Sequence, residues 1–378
     1  MGKHVVFVGG GHAHLTALLN TAEFIRKGHR VTLISPAPYH YYSGMGPGML
    51  AQNYRPQDIR FHIKKMVEDR GAVYVNGRVT QVDPIQKSLS LDSGTAIGYD
   101  FVSFNIGSHV PRELSATSAN NVFAVKPIEN LIKAQKATRD LLHQGPPRVL
   151  VIGGGPAGLE LSGNIWRLIQ NHGQEARITL VCGRKLLFKF LPKVRRLALE
   201  SLTRRGIEVL EDAFAQRLEP GGAVLADGRK IAADLILLAW GVRPPDLFRK
   251  SGLPVDQQDG LLVNDKLQSI QYPDIFGGGD CVSFKPRRLD KVGVYPVRQN
   301  PILYHNLMAA ASGAMLQPFK PQSHYMLLFN LGDGRAIFCR RNWVWQGRLA
   351  FYLKDYIDQK FMRRFQVSGE RQEEAKQL

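Results

Sequence analysis

The sequence is poor in cysteine, in acidic side chains and in long apolar segments. Its 378 residues include three cysteines, Cys182, Cys281 and Cys339, and no two have C-x-x-C spacing. This argues against a disulfide framework, a zinc cluster and a local redox dithiol, and it favours a reducing compartment. No apolar run approaches the roughly 20 residues that span a bilayer, and no secretory signal precedes the first strand. We therefore expect a cytoplasmic protein, or one peripheral on the inner face of the cell membrane.

The deficit of acidic residues leaves a large positive charge. Lysine and arginine number 50 against 32 aspartates and glutamates, a formal net charge of +18. Such a balance favours an anionic partner such as a lipid headgroup surface, although general solubility is the alternative. No nucleic-acid partner is expected, because no compact nucleic-acid-binding module or basic tail is visible.

One supersecondary unit occurs twice. An apolar run at residues 4–8 ends in Gly9-Gly10-Gly11, a helical pattern continues to about residue 26, and residues 30–34 form a second buried strand pattern. The same order recurs at residues 148–152, at Gly153-Gly154-Gly155, and in a helix and strand predicted at 156–171 and 177–182. Two strand–loop–helix–strand units predict two nucleotide-binding halves.

The predicted fold is α/β, with two Rossmann-like dinucleotide-binding domains and a small C-terminal α+β segment. We expect a discontinuous first domain at residues 1–115 and 255–322 and a second at 116–254. The C-terminal segment, 323–378, holds short strands and then an amphipathic basic helix. Residues 71–93 are predicted to form a β-meander.

Each glycine loop fits a diphosphate site. A diphosphate at a helix N-terminus needs bare backbone N–H groups, which the spacing G-x-G-x-x-G supplies. The second loop has Gly153, Gly155 and Gly158, whereas the first has Gly9 and Gly11 followed by His14 at the third position. His14 is expected to loosen helix–strand packing without blocking the phosphate. Fortuitous glycine-rich turns are the alternative.

The acidic residue that grips a ribose 2′-hydroxyl is absent after both loops. The first copy has Ser35 at that strand end, and serine can still bond a ribose. The second has Cys182-Gly183-Arg184, and an arginine suits the 2′-phosphate of NADP. Arg184 could equally be a solvated loop residue, or this half could have lost nicotinamide binding.

These features, with Asn105-Ile106-Gly107-Ser108 and residues 272–280 (YPDIFGGGD), resemble the pyridine nucleotide–disulfide oxidoreductases. Residues 42–48, 297–301, 354–358 and 361–365 are further similar to type II NADH dehydrogenase-like proteins. They also resemble the flavoprotein module fused to selenide, water dikinase. In the pyridine nucleotide–disulfide oxidoreductases, the motif that corresponds to residues 272–280 ends in the aspartate that binds the ribityl chain of FAD. The resemblance assigns this role to Asp280.

The resemblance implies transfer of electrons from NADH or NADPH through FAD to a quinone, at a membrane. Gln299 corresponds to a position near the flavin pyrimidine edge. Glu160 corresponds to a position near the nicotinamide–flavin contact, and Lys126 is expected near the flavin. Glu160 is alternatively an ordinary first-turn helix acid. The remaining cofactor-binding positions expected from the resemblance are His12, Gly44, Val79, Gly107 and Gly241.

Other activities stay open. The absence of a cysteine pair excludes the disulfide reductase branch, and the cysteine positions disfavour a sulfide:quinone oxidoreductase. A flavoprotein with another donor or acceptor, serving sulfur or selenium metabolism, is one alternative. A flavin-bearing redox sensor without nicotinamide turnover is another. No metal site is expected from His12, His14, His40 and His62, whose spacing matches no recognised cluster. A homodimer is compatible with the sequence.

The helix predicted at residues 347–365 is amphipathic. Apolar residues recur four apart at Leu349, Leu353, Ile357, Phe361 and Phe365, with basic residues around them. Such a helix can lie in the headgroup region of an anionic membrane, or it can pack on the protein's own body.

Overall fold

A computed structural model describes residues 2–111 and 121–373. The boundary expected between residues 115 and 116 lies outside the described residues. The N-terminal region begins with β1 (His4–Val8), α1 (Leu15–Leu19), α2 (Thr21–Arg26), β2 (Arg30–Ser35), β3 (His40–Tyr41), α3 (Gly46–Leu50), β4 (Arg60–Phe61) and α4 (Ile63–Glu68). It continues with β5 (Val73–Asn76), β6 (Val79–Asp83), β7 (Ser88–Leu91), β8 (Ala96–Gly98) and β9 (Phe101–Phe104).

The middle region repeats this plan. Its elements are β10 (Val122–Ala124), α5 (Asn130–Leu142), β11 (Arg148–Ile152), α6 (Pro156–Asn171), β12 (Arg177–Val181), α7 (Pro192–Thr203), β13 (Glu208–Leu210), β14 (Ala215–Glu219), β15 (Gly222–Leu225), β16 (Lys230–Ala232), β17 (Leu235–Leu238) and α8 (Leu247–Lys250).

The last third returns to the first sheet and then adds a small layer. Its elements are β18 (Leu261–Val263), β19 (Ile275–Gly277), β20 (Val282–Phe284), α9 (Val294–Ser312), β21 (Leu327–Asn330), β22 (Ala336–Arg340), β23 (Trp343–Gly347) and α10 (Arg348–Phe365).

Two five-stranded parallel sheets organise the molecule. The first has the order β19-β9-β1-β2-β5 and the second β10-β17-β11-β12-β13. The central strands β1 and β11 are buried over most of their length, as expected of apolar runs covered on both faces. The predicted α/β class with two Rossmann-like halves is confirmed. Because β19 pairs with β9, we propose residues 255–322 as part of the first domain.

The meander predicted at residues 71–93 is divided between two sheets. Strand β5 joins the parallel sheet beside β2, and only β6, β7 and β8 form an antiparallel sheet. The apolar residues of β5 pair with a parallel neighbour that lies far away in sequence, which local periodicity cannot reveal.

Helix α10 turns part of its predicted apolar stripe into the protein. Phe365 and its neighbour Met362 are buried, whereas Leu349 at the other end is 75% exposed. Packing on the protein's own body, one of the two alternatives, is thus seen at the C-terminal end of the helix. No helix in residues 2–111 and 121–373 is long and apolar enough to cross a membrane.

Candidate functional site

A cleft of about 1960 Å³ opens where the carboxyl ends of the two parallel sheets face each other. This is the edge at which open α/β sheets bind ligands. Most of the residues expected to bind cofactor or to act in catalysis line it: Gly9, Gly11, His12, Ser35, Gly44, Val79, Gly107, Lys126, Gly153, Gly155, Glu160, Arg184, Gly241 and Asp280. Gln299 and Gly158 lie behind its wall.

The first glycine loop is buried and sterically committed to glycine. Gly9 has a φ of +83°, and a Cβ there would lie 2.4 Å from the carbonyl oxygen of Asn105. A Cβ on Gly11 would lie 1.6 Å from the Asn105 side-chain oxygen. The Asn105 amide also donates to the carbonyl of Gly278 at 2.9 Å. Asn105 therefore joins the first loop to the loop that carries Asp280.

His14 replaces the third glycine by bonding the loop. Burial lowers the pKa of His14 to about 4, so the imidazole is neutral near pH 7. Its Nδ1 donates to the carbonyl of Gly9 at 2.6 Å, and its Nε2 accepts from the Ser103 hydroxyl at 2.8 Å. Helix α1 begins only at Leu15, so His14 itself precedes the helix. The ring of His14 is fully buried, and its two hydrogen bonds join the first loop to Ser103.

The second loop is half-exposed, and its helix begins at once. Gly153 has a φ of +134°, and a Cβ on Gly158 would lie 1.7 Å from the Gly153 carbonyl oxygen. Helix α6 starts directly after Gly155, whose missing Cβ would meet nothing within 4 Å. The start of α6 lines the cleft through Gly155 and Ala157, and the N–H groups of a helix start suit a diphosphate.

Asp280 sits in a partly buried ionic cluster. Its carboxylate accepts from Lys126 at 2.5 Å and from the Ser108 hydroxyl at 2.8 Å, and Lys126 also donates to Ser108 at 2.9 Å. Burial favours the neutral acid, but Lys126 outweighs it, and the pKa of Asp280 lies below its ordinary value. Asp280 is therefore ionised near pH 7.

Gln299 supports the same loop from behind. It is the sixth residue of α9 and is buried. Its side-chain oxygen accepts from the Gly279 N–H at 2.7 Å. Gln299 thus positions the loop next to Asp280.

Two neutral imidazoles contact each other in the wall of the cleft. Nε2 of His40 lies 3.3 Å from Nδ1 of His12. Burial lowers the pKa of His12 to about 4 and the pKa of His40 well below its ordinary value. Nε2 of His12 is buried without a partner among the described residues. A buried polar atom without a partner in a cleft indicates a ligand contact.

Glu160 lies at the end of a second buried polar cluster. Its carboxyl accepts from the Asn330 N–H at 2.7 Å, and burial raises its pKa to about 7. The ammonium of Lys354 lies near enough to oppose that shift, and it donates to the Gly44 carbonyl at 2.7 Å. Lys354 also pairs with Asp358, which accepts from the Tyr42 hydroxyl. A carboxyl that titrates near pH 7 can hold or release a proton there.

The rim beside the second loop is basic. Arg184, Lys185 and Lys189 line this part of the cleft, and Arg184 and Lys189 lie over the Phe188 ring. The strand-end position before them is Cys182, where a ribose-binding acid would stand. Burial raises the pKa of Cys182 to about 12, so it stays a thiol.

None of the three cysteines has the surroundings of a redox thiol. All are free and buried. Burial also raises the pKa of Cys281 to about 11. Thiolate chemistry needs a lowered pKa and access, so these side chains do not supply it.

The described residues contain no group of three or more side chains that could hold a metal ion. His12 and His40 meet in the cleft. His14 instead bonds the first loop, and His62 caps α4 by accepting from the Lys65 N–H.

Sequence reasoning missed several residues of the site. Asn105 and Ser108 lie in the motif at residues 105–108, which carries the family resemblance but predicts no role for either side chain. Lys354 lies in residues 354–358, a stretch that carries the family resemblance, but the local pattern does not show that its side chain turns inward. His40 gave none.

The family model for pyridine nucleotide-disulphide oxidoreductase matches residues 3–311. An NADH dehydrogenase-like protein of Mycobacterium tuberculosis is 24% identical over 297 residues, covering 74% of this chain and 72% of that protein. The sulfide:quinone oxidoreductase of Aquifex aeolicus superposes with a TM-score of 0.81 at 18% identity, over 97% of this chain and 92% of that one. NDH2 of Plasmodium falciparum, solved with NADH, gives 0.79 at 15% identity, over 98% of both chains.

The residues present fit the cofactors of that family, FAD and a nicotinamide dinucleotide. The buried first loop, the unpartnered Nε2 of His12 and the ionised Asp280 suit a cofactor that stays bound. The half-exposed second loop, open beside Gly155, suits a dinucleotide that exchanges.

Proposed function

Because the chain belongs to the pyridine nucleotide-disulphide oxidoreductases, we propose that it is a flavin enzyme that oxidises NADH or NADPH and reduces a quinone-like acceptor without a redox disulfide. One observation carries this: both glycine loops, Asp280 and Glu160 line a single cleft. Two dinucleotides held there would approach each other.

FAD, when bound, would accept a hydride from the nicotinamide and pass the electrons on. The residues of the chain itself would position the cofactors and polarise them. We assign Asp280, with Lys126 and Ser108, to the ribityl hydroxyls. Glu160, with a pKa of about 7, holds a proton inside the cleft, where reduction of a quinone needs one. Gln299 acts through Gly279 as a positioning residue.

The acceptor side of the cleft is apolar. Leu327, Leu328 and Phe329 of β21 line it, with Lys354 beside them. Apolar walls with a few placed polar groups are typical of small-molecule sites. This supports a flat, lipid-soluble acceptor over a small inorganic anion. The buried, unreactive cysteines also disfavour a sulfide-oxidising mechanism, which would require cysteine pairs.

We propose NADPH as the better donor. Arg184, Lys185 and Lys189 give three cations at the rim, and no carboxylate follows β12. Guanidinium groups bind a 2′-phosphate, and the missing acid removes the usual preference for a free 2′-hydroxyl.

The test is an anaerobic titration of the purified yellow protein with each nicotinamide, followed by a panel of quinones and sulfide. Bleaching by NADPH at lower concentration than NADH, and reoxidation by quinone, are expected. A flavin that neither nicotinamide reduces would leave the redox-sensor alternative. Reduction by sulfide in place of a nicotinamide would reject the proposed donor.

We further propose attachment to an anionic membrane through an aromatic face, defined as Trp343, Trp345, Leu349, Tyr352 and Tyr356. All five are exposed, Trp343 by 77% and Leu349 by 75%. Leu349, Tyr352 and Tyr356 share one helical stripe of α10, which continues into Lys360 and Arg363. An aromatic stripe that ends in basic residues suits the membrane interface.

Point substitutions test this attachment, because α10 is needed for folding through Phe365 and Met362. Tyr352→Ser with Tyr356→Ser should release the protein from anionic vesicles while flavin content stays unchanged. Phe188→Ser, at an exposed aromatic residue on the basic rim of the cleft, is the control for vesicle binding. Equal losses from the test and control variants would reject the aromatic face.

Two further expectations remain predictions. One is the similarity to the flavoprotein module fused to selenide, water dikinase, and the other is the formation of a homodimer.

A further inference from the structure

A second, smaller cavity lies beside the cofactor cleft. It measures about 320 Å³ and lies between the segment before α9 and the C-terminal sheet. Its lining is mostly charged or polar: Arg287, Arg288, Asp290, Tyr295, Ser323, His324, Tyr325, Leu327 and Arg341. We call it the arginine cavity.

The charge of this cavity is not balanced. Asp290 is its one carboxylate, and it already accepts from the Tyr325 hydroxyl at 3.0 Å. Arg287 is held in place by donating to the Gln322 carbonyl at 2.8 Å. Within residues 2–111 and 121–373, neither Arg288 nor Arg341 has an ion pair or hydrogen bond from its side chain. Two guanidinium groups are thus available to an anion, with a third fixed beside them.

The position of the cavity indicates which anion. Arg341 stands in the turn between β22 and β23, two residues before the exposed Trp343 of the aromatic face. Trp343 and Trp345 point to one side of β23, where Trp345 stacks on Phe338 at 5.3 Å. Phe338 packs with Ala350 of α10. Arg341 therefore brings the arginine cavity next to Trp343 at the tip of the β22–β23 hairpin. Leu327, on the opposite face of this sheet from Trp345, separates the cavity from the cofactor cleft.

We propose that the arginine cavity binds the phosphate of an anionic phospholipid headgroup. This rests on the membrane attachment proposed above and names the lipid that would be recognised. Arg288 and Arg341 would hold the phosphate oxygens in the forked geometry that guanidinium groups favour. Trp343 of the aromatic face would insert beside the same lipid.

The test compares Arg288→Ala/Arg341→Ala with Lys136→Ala/Arg139→Ala in the holoprotein. The control pair lies on an exposed face of α5 and removes the same charge. Flotation with vesicles of phosphatidylcholine, alone or mixed with phosphatidylglycerol, gives the partition coefficient. Because each basic residue near an anionic surface adds about 1 kcal/mol, the cavity variant should lose roughly thirtyfold on anionic vesicles. The control should lose less than about threefold.

Three results would overturn the proposal. One is equal losses for both variants, which would mean that only total charge matters. Another is a cavity variant that keeps its vesicle binding. The third is tight binding of inorganic phosphate that the cavity variant abolishes while vesicle binding stays unchanged, which would assign the cavity to a free phosphate. Bleaching by NADPH and turnover with a water-soluble quinone should be unchanged in both variants, so failure here is distinguishable from failure of the enzymatic function.

Discussion

The two glycine loops share one sequence pattern but differ in burial and closure. Residues 9–14 are all buried, whereas Gly154–Ala157 are half-exposed. In the first loop an imidazole fills the third position, and the helix starts three residues later than in the second. At matching positions in the two helices stand Thr16, whose N–H donates to Asn300, and Glu160, whose carboxyl faces the cleft.

This difference teaches how one unit can serve two purposes. A loop enclosed by Asn105, His14 and the Asp280 loop can keep a cofactor, because release requires opening a packed interior. A loop at a half-open rim with basic residues can exchange a charged substrate at each turnover. The substitutions below test that division.

The largest effect is expected for Gly11→Ala compared with Gly155→Ala. A Cβ on Gly11 would collide with Asn105, so the variant should fail to retain flavin or to fold. Gly155→Ala meets no protein atom within 4 Å, so it should fold and stay yellow. Its KM for NADPH should rise about tenfold, because the new methyl group occupies the space of the diphosphate. Flavin absorbance, circular dichroism and steady-state kinetics measure this. An unchanged KM would mean that the second loop does not hold the dinucleotide.

His14→Ala should destabilise the protein by about 2–4 kcal/mol, since it removes a buried ring and leaves the Gly9 carbonyl and Ser103 unpaired. Ser103→Ala removes one of these bonds and should cost about 1 kcal/mol. Denaturant unfolding of both variants gives the comparison. A loss below 1 kcal/mol for His14→Ala would show that the ring does not hold the first loop together.

Glu160→Gln should keep the Asn330 hydrogen bond and remove a group that titrates near pH 7. Quinone reduction should slow about tenfold or more and lose its pH dependence near 7. The raised pKa also predicts a stability effect. Protonated Glu160 stabilises the fold fully below its ordinary pKa of 4.5, and this contribution is lost as pH rises through about 7. The Tm of Glu160→Gln should therefore exceed that of the parent protein increasingly from pH 5 to pH 8. A constant difference would contradict the assigned pKa.

The effect most specific to one donor is expected for Arg184→Ala. Losing one charged contact to a 2′-phosphate should raise the KM for NADPH about tenfold, roughly 1.4 kcal/mol, and leave NADH unchanged. Arg177→Ala is the control, because Arg177 begins strand β12 whereas Arg184 follows the other end of that strand. Equal changes for NADH and NADPH would place Arg184 in general electrostatics and not in donor selection.

Local pattern was a reliable guide where one short segment contains the whole signal. Helix α6 spans the predicted residues 156–171, and the glycine loops, Gly107 and Asp280 reach the cleft as expected. The local sequence pattern did not predict contacts between residues that are distant in the chain. The membership of β5 in the parallel sheet, the His12–His40 contact and the inward turn of Lys354 each depend on a segment that local periodicity does not relate.

The sequence by itself determined two dinucleotide units, because glycine spacing and buried strands act within about thirty residues. It also determined that no two cysteines have C-x-x-C spacing, because the spacing of residues needs no folding to be seen. Only the tertiary structure decided which unit is enclosed and which is open. It also decided that burial raises the pKa of Glu160 to about 7 and that Arg341 stands beside Trp343 at the tip of the β22–β23 hairpin. Enclosure, desolvation and surface adjacency all arise when segments far apart in the chain pack together.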